Sequence, residues 1–345
     1  MGKRAKKILV TGGAGFIGSN YVARLLQRGE QVTIYDNLSR RGATSNLAWL
    51  EERFGRGSFR LVVGDIRDAV LLTAAARGAG IIIHLASQVA VTTSVLHPRE
   101  DFEINAQGTF NVLEAARYAD TDPIVVYAST NKVYGGMEEV TVQETATRYQ
   151  YRDLPNGVSE SQPLDFHSPY GCSKGAGDQY VRDYQRIYGL RTVVFRQSCI
   201  YGPRQFGVED QGWVAWFIIA AVMNRPITIY GDGKQVRDLL YVEDLLDGYD
   251  AAIHRIDTAS GQVYNLGGGP SNTLSVWSEF RPLLERLLGR PIHVETGDWR
   301  PGDQRIFVSD IRKAAQELNW QPKVSVEDGI AKLLEWVAAN RQYFA

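Results

Sequence analysis

A glycine-rich turn between a short apolar strand and a helix is the feature that most limits how this chain can fold. The segment Thr11–Gly18 (TGGAGFIG) follows an apolar strand predicted at Ile8–Thr11 and opens a helix that runs to about Arg28. Glycines at positions 12, 15 and 18 allow a tight turn, close approach of the backbone to a pyrophosphate, and close helix packing. A purely structural turn is the alternative reading of three glycines alone. Their place between a strand and a helix favours a dinucleotide-binding turn.

The first half of the chain alternates strand and helix patterns. Further strands are predicted at 31–36, 59–63, 80–85, 123–128 and 190–197, and helices at 44–54, 68–77, 98–118 and 168–189. Short apolar strands separated by helices are typical of a parallel sheet with right-handed crossovers. The predicted fold class is therefore α/β, with a doubly wound parallel sheet of the Rossmann type. Segment 135–167 has no clear period and is long for a loop, which is typical of a segment that covers a functional site.

The alternation breaks after Tyr201. Helices are predicted there at 212–224, 243–255, 274–288 and 327–340, and strands at 227–230 and 235–242. We therefore expect residues 1–200 to form the Rossmann domain. Residues 201–345 would mainly form a smaller α/β substrate domain, interleaved with the first through exchanged segments.

The charge balance and cysteine content exclude several classes of partner. The 345 residues include 38 basic and 39 acidic side chains, with a net charge of -1, so no overall field favours nucleic acid or an anionic membrane. No apolar run is long enough for a transmembrane helix. Cys172 and Cys199 have neither metal-binding spacing nor a disulfide framework, so we expect no metal site and a reduced, cytoplasmic protein.

The ends of the predicted strands supply candidates for cofactor binding. Asp36 ends the second strand, where an acidic side chain can accept both ribose hydroxyls of adenosine and repels the additional phosphate of NADP, so we expect NAD. The basic side chains of Arg40 and Arg41 lie nearby in the sequence and weakly favour NADP instead. The predicted cofactor-binding residues are Gly12, Gly15, Phe16, Ile17, Gly18, Asp36, Asn37, Ser39, Arg40, Asp65, Ile66, Leu85, Ala86, Gln88, Tyr170 and Lys174.

Tyr170 and Lys174 are candidates for proton transfer, because residues four apart share one face of a helix. A phenol with a pKa of about 10 is a poor base near neutrality, and an ammonium beside it favours the phenolate. The two residues could thus move a proton to or from a sugar hydroxyl, although the pair taken alone favours an ordinary surface pair, since short motifs match by chance. Thr130 would face the same crevice and could hydrogen-bond to the reacting oxygen.

Together these segments resemble the extended short-chain dehydrogenase/reductase family of nucleotide-sugar enzymes. The resemblance covers nearly the whole chain, through Thr11–Gly18, Asp36, His84–Gln88, Ser129–Gly135, Tyr170–Lys174 and Tyr201–Arg204. It implies a Rossmann domain that holds NAD(P) and a carboxyl-terminal domain that holds a nucleoside diphosphate sugar. It also implies that Thr130, Tyr170 and Lys174 are catalytic. The family often forms homodimers through the helices at about 98–118 and 168–189.

The residues after Thr130 narrow the reaction that this resemblance implies. The family's 4,6-dehydratases carry an Asp-Glu pair there, whereas Asn131 and Lys132 cannot act as carboxyl acids or bases. Segments 129–135, 196–202, 204–206 and 210–214 are similar to those of the family's CDP-tyvelose (CDP-paratose) 2-epimerases. The resemblance therefore implies an isomerase that epimerises a CDP-sugar at C2. It would do so by transient oxidation to a 2-keto intermediate with NAD, reorientation of the sugar, and hydride return.

The same resemblance indicates which residues contact the substrate. Segments 231–238 and 300–303 match the family's diphosphate and ribose clamps, where Arg237 and Arg300 can give forked hydrogen bonds to phosphate oxygens. Cys199 stands where many relatives have an Asn that reaches the substrate phosphates, which leaves that contact open. The predicted substrate-binding residues are Thr130, Asn131, Ser198, Arg204, Gln211, Trp213, Arg237, Arg300 and Asp303.

Two alternatives remain open from the sequence. A 4-epimerase or reductase of a UDP-, GDP- or CDP-sugar would use the same Tyr-Lys chemistry. Even for a 2-epimerase, the sugar could be a 3,6-dideoxy sugar or a fully hydroxylated one, as in CDP-glucose and CDP-mannose. A catalytically silent dinucleotide-binding protein is the second alternative, although such proteins usually lose a member of the catalytic set that this chain keeps.

Overall fold

The computed structural model describes residues 6–299 and 304–344. Its strands are β1 (Lys7–Thr11), β2 (Gln31–Asp36), β3 (Arg60–Val63), β4 (Ile81–His84), β5 (Ile124–Thr130), β6 (Val142–Glu144), β7 (Tyr149–Tyr151), β8 (Thr192–Gln197), β9 (Ile200–Tyr201), β10 (Thr228–Tyr230), β11 (Val236–Asp238), β12 (Leu240–Tyr241), β13 (Gln262–Leu266), β14 (Thr273–Ser275), β15 (Glu295–Gly297) and β16 (Ile306–Phe307). Its α-helices are α1 (Phe16–Gln27), α2 (Ala43–Phe54), α3 (Ala69–Ala76), α4 (Val91–Leu96), α5 (Pro98–Phe102), α6 (Gly108–Arg117), α7 (Ser168–Tyr188), α8 (Trp213–Val222), α9 (Val242–His254), α10 (Ile256–Ala259), α11 (Phe280–Leu288), α12 (Arg312–Leu318) and α13 (Val326–Ala339).

A seven-stranded parallel sheet with the order β13-β8-β5-β4-β1-β2-β3 organises the molecule. Alternate side chains of each strand enter two different cores, because successive residues of a strand face opposite sides. Ile8 and Val10 pack with helices α1, α2 and α9, whereas Leu9 packs with α3, α6 and α7. The strand order reverses between β1 and β4, which opens a crevice at their carboxyl ends. The predicted Rossmann fold is confirmed.

Strand β13 is the one member of this sheet that the sequence pattern does not predict. It comes from the carboxyl-terminal half of the chain and pairs in parallel with β8, with Tyr264 opposite Phe195. Helix α9, also from that half, packs on α1 through a hydrogen bond from Tyr21 to Asp250 (3.0 Å). The division of the chain near residue 200 into two domains stays a prediction.

A second apolar core lies in the carboxyl-terminal half. Helices α8, α11 and α13 supply Phe217, Phe280, Leu284, Ile330 and Leu333 to it. Two small sheets, β14-β11-β16 and β10-β15, flank this core. Within the part of the chain that the structure describes, no helix is both long and apolar enough to cross a membrane.

Some predicted elements are divided differently in the structure. The strand expected at 235–242 is two strands, because the chain changes partners at Leu239, whose N–H donates to Asn272 O (2.7 Å) while the next N–H donates to Cys199 O (3.2 Å). The helix expected from Leu274 begins at Phe280, since the preceding segment is β14. The loop-rich segment 135–167 contains the hairpin β6–β7.

The helix predicted at 98–118 is interrupted by a π-helical turn at Glu103–Gln107. Such widened turns are rare and often lie at functional sites. This one directs Asn105 toward the end of β4 and toward α7, where its side-chain amide donates to Gln88 O (3.1 Å) and Ser173 Oγ (3.2 Å). The turn thus joins the helix to the border of the crevice.

Candidate active site

A cleft of about 390 Å³ lies at the carboxyl ends of strands β1 to β4. The β1–α1 turn, the strand ends, the first turns of α7 and residues 204–206 and 211 line it. The structure brings all the predicted cofactor-binding residues together in this cleft: Gly12, Gly15, Phe16, Ile17, Gly18, Asp36, Asn37, Ser39, Arg40, Asp65, Ile66, Leu85, Ala86, Gln88, Tyr170 and Lys174.

The glycine turn fits against the end of β4 only because it lacks side chains. Gly12 has φ +70°, and a Cβ there would lie 2.7 Å from Ala86 N. A Cβ on Gly18 would overlap Gly12 O. Gly15, at the N-cap of α1, has no side chain to cap the helix. The first N–H groups of α1 are therefore available to an anion at the cleft.

Asp36 is held in place by the same turn. Its carboxylate accepts hydrogen bonds from Ala14 N (3.0 Å) and Leu38 N (2.8 Å), and burial raises its pKa. Each carboxylate oxygen keeps a further lone pair, so Asp36 can still accept two ribose hydroxyls. At the neighbouring strand end, hydrogen bonds from the Arg67 side chain lower the pKa of Asp65 to about 2.

Tyr170 and Lys174 are not a surface pair, since Tyr170 is 8% and Lys174 is 3% exposed. Lys174 Nζ donates to Ala128 O (2.6 Å) and lies 4.4 Å from the centre of the Tyr127 ring. Burial lowers the pKa of Lys174 to about 7, while the charges of Asp178 and Asp101 raise it. This lysine can therefore exchange a proton near neutral pH.

Thr130, at the end of β5, lies beside the Tyr170 phenol. Burial raises the pKa of that phenol to about 12, whereas the Thr130 hydroxyl and the charge of Arg40 lower it. From the sequence we expected Lys174 to lower the pKa of the phenol. In the structure the groups that lower it are Thr130 and Arg40. The predicted catalytic residues nevertheless lie together at the edge of the sheet.

A buried ionic network fixes the helix that carries these residues. Asp178, one turn beyond Lys174, forms an ion pair with Arg196 (2.9 Å) and accepts a hydrogen bond from Ser129 Oγ (2.9 Å). Arg196 also donates to the Tyr134 hydroxyl (3.1 Å). These contacts hold α7 against β5 and β8.

A second cavity, of about 930 Å³, lies beside the segment that follows β5. The segment 135–142 and the hairpin strand β7 form one side, residues 166–168 before Tyr170 another, and residues 304–306 a third. Lys132 lines it and donates from Nζ to Gln304 Oε1 (3.1 Å). Both halves of the chain thus contribute to the walls of this cavity.

Among the described residues, none of those predicted to bind the substrate lines that cavity. Arg204 and Gln211 line the cofactor cleft instead. Asn131 accepts a hydrogen bond from Thr130 Oγ1 (3.3 Å), which places it beside the catalytic residues. Arg300 and Asp303 lie outside the described residues.

Three further residues of that set surround Cys199. Ser198 is fully buried and donates from Oγ to Asp238 Oδ1 (2.6 Å). Arg237 is buried and donates to Val236 O (2.8 Å). The Trp213 ring packs edge-on against Phe280 with 5.3 Å between ring centres. Among the described residues, no group of three or more His, Cys, Asp and Glu side chains is placed to hold a metal ion.

Several lining residues were not predicted from the sequence. Gln205 and Phe206 line the cofactor cleft, although only their neighbour Arg204 was assigned a role. Glu138, His167 and Arg305 line the second cavity. Gln205 and Phe206 could have been identified from the sequence, because they lie in a segment that resembles the family. Segment 135–167, in contrast, has no periodicity that shows which side chains point inward.

Comparisons with known proteins agree with this arrangement. A family model described as GDP-mannose 4,6 dehydratase matches residues 9–333. CDP-paratose 2-epimerase of Salmonella typhi is 47% identical over 96% of this chain and 99% of its own length. UDP-glucose 4-epimerase of Mycolicibacterium smegmatis is 35% identical over 97% of this chain and 100% of its own length.

A solved structure has the same fold. It is that of a double mutant of dTDP-glucose 4,6-dehydratase from Streptomyces venezuelae with NAD bound, which is 32% identical and has a TM-score of 0.83, over 97% of this chain and 98% of that one. The chain therefore belongs to the extended short-chain dehydrogenase/reductase family of nucleotide-sugar epimerases and dehydratases, and it is an enzyme of that family.

Proposed function

We propose that the protein is an NAD-dependent epimerase that inverts C2 of a CDP-sugar. The observation that carries this proposal is the neighbourhood of Thr130. Thr130 contacts the buried Tyr170, and the next two residues, Asn131 and Lys132, are not carboxylic acids. The site can thus handle the proton of a hydroxyl but has no carboxyl acid after Thr130 to assist loss of water. The preference for C2 and for CDP rests on the 47% identity with CDP-paratose 2-epimerase.

The cofactor cleft has the chemistry that NAD needs. The uncapped amino end of α1 suits the pyrophosphate, and Asp36 can accept the hydroxyls of the adenosine ribose. Lys174 can hold the ribose next to the nicotinamide. Bound NAD supplies a reversible hydride acceptor, which no protein side chain provides.

In this proposal Tyr170 handles the proton of the C2 hydroxyl. With its pKa raised to about 12, the phenol is protonated at neutral pH in the structure described here. Positive charge beside the phenol favours the phenolate, and Arg40 acts in that direction. Tyr170 Oη then takes the hydroxyl proton, and Thr130 holds the reacting oxygen. Return of the proton from the same phenol completes the epimerisation.

Epimerisation also requires that the sugar turns while the nucleotide stays bound. The second cavity, about 930 Å³, is at the upper end of the range of small-molecule sites, which is about 300–1,000 Å³. It has room for reorientation beside Lys132 and Ser168, which are each two residues along the chain from Thr130 and Tyr170. We assign the firm anchor to Arg237, Arg300 and Asp303, and contacts to the nucleotide to Ser198 and Trp213.

The test is to incubate the protein and NAD with CDP-glucose, a CDP-3,6-dideoxyhexose or UDP-glucose, and to analyse the products by NMR. We expect a C2 epimer from a CDP-sugar, and none from UDP-glucose. In deuterated water, C2 should stay free of deuterium, since hydride returns internally. Deuterium at C2 would indicate proton abstraction from carbon and contradict the mechanism.

A nucleotide-sugar 4-epimerase is the second candidate. The observation that favours it is the 35% identity with UDP-glucose 4-epimerase over 97% of this chain. Tyr170 and Lys174 could handle the proton of a C4 hydroxyl as well as that of a C2 hydroxyl. A C4 epimer from UDP-glucose in the same assay would support this candidate and reject the first.

We also propose that the protein forms a homodimer through α6 and α7. The two helices share a face with the exposed aromatic side chains Phe110, Tyr180 and Tyr188, where Phe110 packs edge-on against Tyr180 (5.9 Å) and Tyr188 packs on the buried Tyr184 (4.9 Å). Ile187 adds a further exposed apolar side chain. Apolar surface of this kind is typical of an interface between subunits.

A further inference from the structure

A loop between β9 and α8, residues 203–212, lies across the cofactor cleft, and we call it the strap. We propose that the strap retains the bound dinucleotide from one turnover to the next. In this proposal Gln205 is its inward contact and the carboxyl-terminal aromatic residues are its anchor. The inference rests on the NAD binding proposed above. The family resemblance had left Gln205 and Phe206 without a role.

The first part of the strap is fixed to the helices beside the cleft. Asn20 Nδ2, on α1, donates to Pro203 O (3.0 Å), and Asn46 Nδ2, on α2, donates to Arg204 O (3.3 Å). The Arg204 guanidinium lies 4.1 Å from the centre of the Trp49 ring and donates to Asn20. Arg204 has φ +69°, which is in the left-handed region of backbone conformation.

Phe206 anchors the middle of the strap. On one side its ring lies against Gly42, where a Cβ would overlap the ring. On the other side it packs against Trp336 (6.0 Å), Tyr343 (6.2 Å) and Phe344 (5.4 Å), as measured between ring centres. The carboxyl-terminal segment therefore supports a residue that lines the cofactor cleft.

The far end of the strap reaches the loop that follows β2. Val208 and Gln211 exchange two backbone hydrogen bonds (3.0 and 2.9 Å), which form a tight turn. Glu209 in this turn accepts a hydrogen bond from the Tyr230 hydroxyl (2.7 Å). Arg40 Nη2 donates to Gln211 Oε1 (3.2 Å). Because Arg40 follows Asp36, this contact closes the cleft at the end that we assign to the adenosine ribose.

Gln205 gives the strap a contact for a ligand. The residue is 4% exposed and lines the cleft. Its Nε2 donates to Ile200 O (3.2 Å), which fixes the orientation of the amide. Its Oε1 is buried and has no partner among the described residues. A buried acceptor without a partner is unfavourable, so this oxygen is suited to an N–H or O–H donor of a bound molecule.

A dinucleotide offers three kinds of donor to Gln205: the carboxamide N–H, the adenine amino group and the ribose hydroxyls. ADP-ribose keeps the amino group and the hydroxyls but has no carboxamide. If Gln205→Met weakens the binding of NAD and not of ADP-ribose, the carboxamide is the donor. If it weakens both equally, the donor is a ribose hydroxyl or the adenine amino group. Either result supports the role of Gln205.

The decisive measurement is the rate at which the NAD-loaded protein releases NAD after dilution into excess competing nucleotide. We expect Gln205→Met, Phe206→Ala and Gln211→Ala each to release NAD about tenfold faster than the wild type. Leu283→Ala is the matched control, since Leu283 packs on the same carboxyl-terminal core but is not in the strap. Gln211→Ala changes a polar contact only, so it tests the strap even if Phe206→Ala does not fold.

Three outcomes would overturn the inference. Wild-type release rates in both Gln205→Met and Gln211→Ala would show that the strap does not retain NAD. Equally fast release from Leu283→Ala would show general loosening of the carboxyl-terminal half. A wild-type protein that binds no NAD would remove the proposed function, and the strap with it, which distinguishes that failure from the first two.

Discussion

Asp178 and Arg196 form an ion pair with 2.9 Å between Oδ2 and Nε, and their side chains are 0% and 2% exposed. Asp178 belongs to the helix that carries Tyr170 and Lys174, and Arg196 to the strand beside Thr130. Two charges this deeply buried are stable only together. The pair therefore couples the stability of the protein to the position of its catalytic helix.

Removing one partner of this ion pair should strongly destabilise the protein. Arg196→Met leaves the Asp178 carboxylate buried and unpaired, and we expect the free energy of unfolding to fall by about 3–5 kcal/mol. The double variant Asp178→Leu/Arg196→Met should be more stable than this single variant. Urea denaturation measures both. Arg286→Met, in the exposed pair with Glu327, is the control and should cost under about 1 kcal/mol. An equally small effect at Arg196 would contradict the argument.

Tyr170→Phe should stop turnover without unfolding the protein. The substitution removes only the hydroxyl that handles the proton, so we expect kcat to fall by at least a factor of about 10²–10⁴. NAD binding and the melting temperature should stay near the wild-type values. Full activity in this variant would reject Tyr170 as the catalytic residue.

Thr130→Val should shift the pH dependence of turnover. The Thr130 hydroxyl lowers the pKa of Tyr170, so removing that hydroxyl should raise the pKa. Since the reaction needs the phenolate, the rise of kcat with pH should move to higher pH in the variant. A pH–rate profile that keeps its position while kcat falls would mean that Thr130 acts on the substrate alone.

Lys174 should make the protein without bound NAD more stable as pH rises. Its pKa is 10.5 in the unfolded chain and is lowered by burial to about 7 in the folded one. Between these values the unfolded state binds the extra proton, so stability rises with pH. The slope from Lys174 should be on the order of 1 kcal/mol per pH unit between about pH 7.5 and 9.5. Denaturation of Lys174→Met across this range should lack that slope, and an unchanged slope would contradict the assignment.

A charged substitution can test whether the exposed aromatic face of α6 and α7 is the interface between subunits. Ile187→Glu places a charge in the proposed subunit interface, and we expect a monomer in analytical ultracentrifugation where the wild type is a dimer. Val70→Glu, at an exposed apolar residue on α3, is the control and should leave the dimer intact. A wild-type monomer, or a dimeric Ile187→Glu variant, would reject this interface.

The sequence predicted the Rossmann sheet and the place of the cofactor cleft, because both depend on local patterns. The glycine turn and the strand end at Asp36 form within a short stretch of chain. The walls of the second cavity were harder to predict, since Lys132 and Gln304 meet only through the tertiary fold. The retaining role proposed for Gln205 likewise depends on contacts with α1, α2 and the carboxyl-terminal segment, which no local pattern encodes.

Strand β13 has a consequence for how the protein can be made. Until Gln262–Leu266 leaves the ribosome, β8 is an unprotected sheet edge with free backbone donors and acceptors. Open edges of this kind pair readily with other chains. The partly synthesised chain is therefore prone to aggregate before β13 has been made. A fragment that ends before Gln262 would keep the exposed edge of β8 permanently.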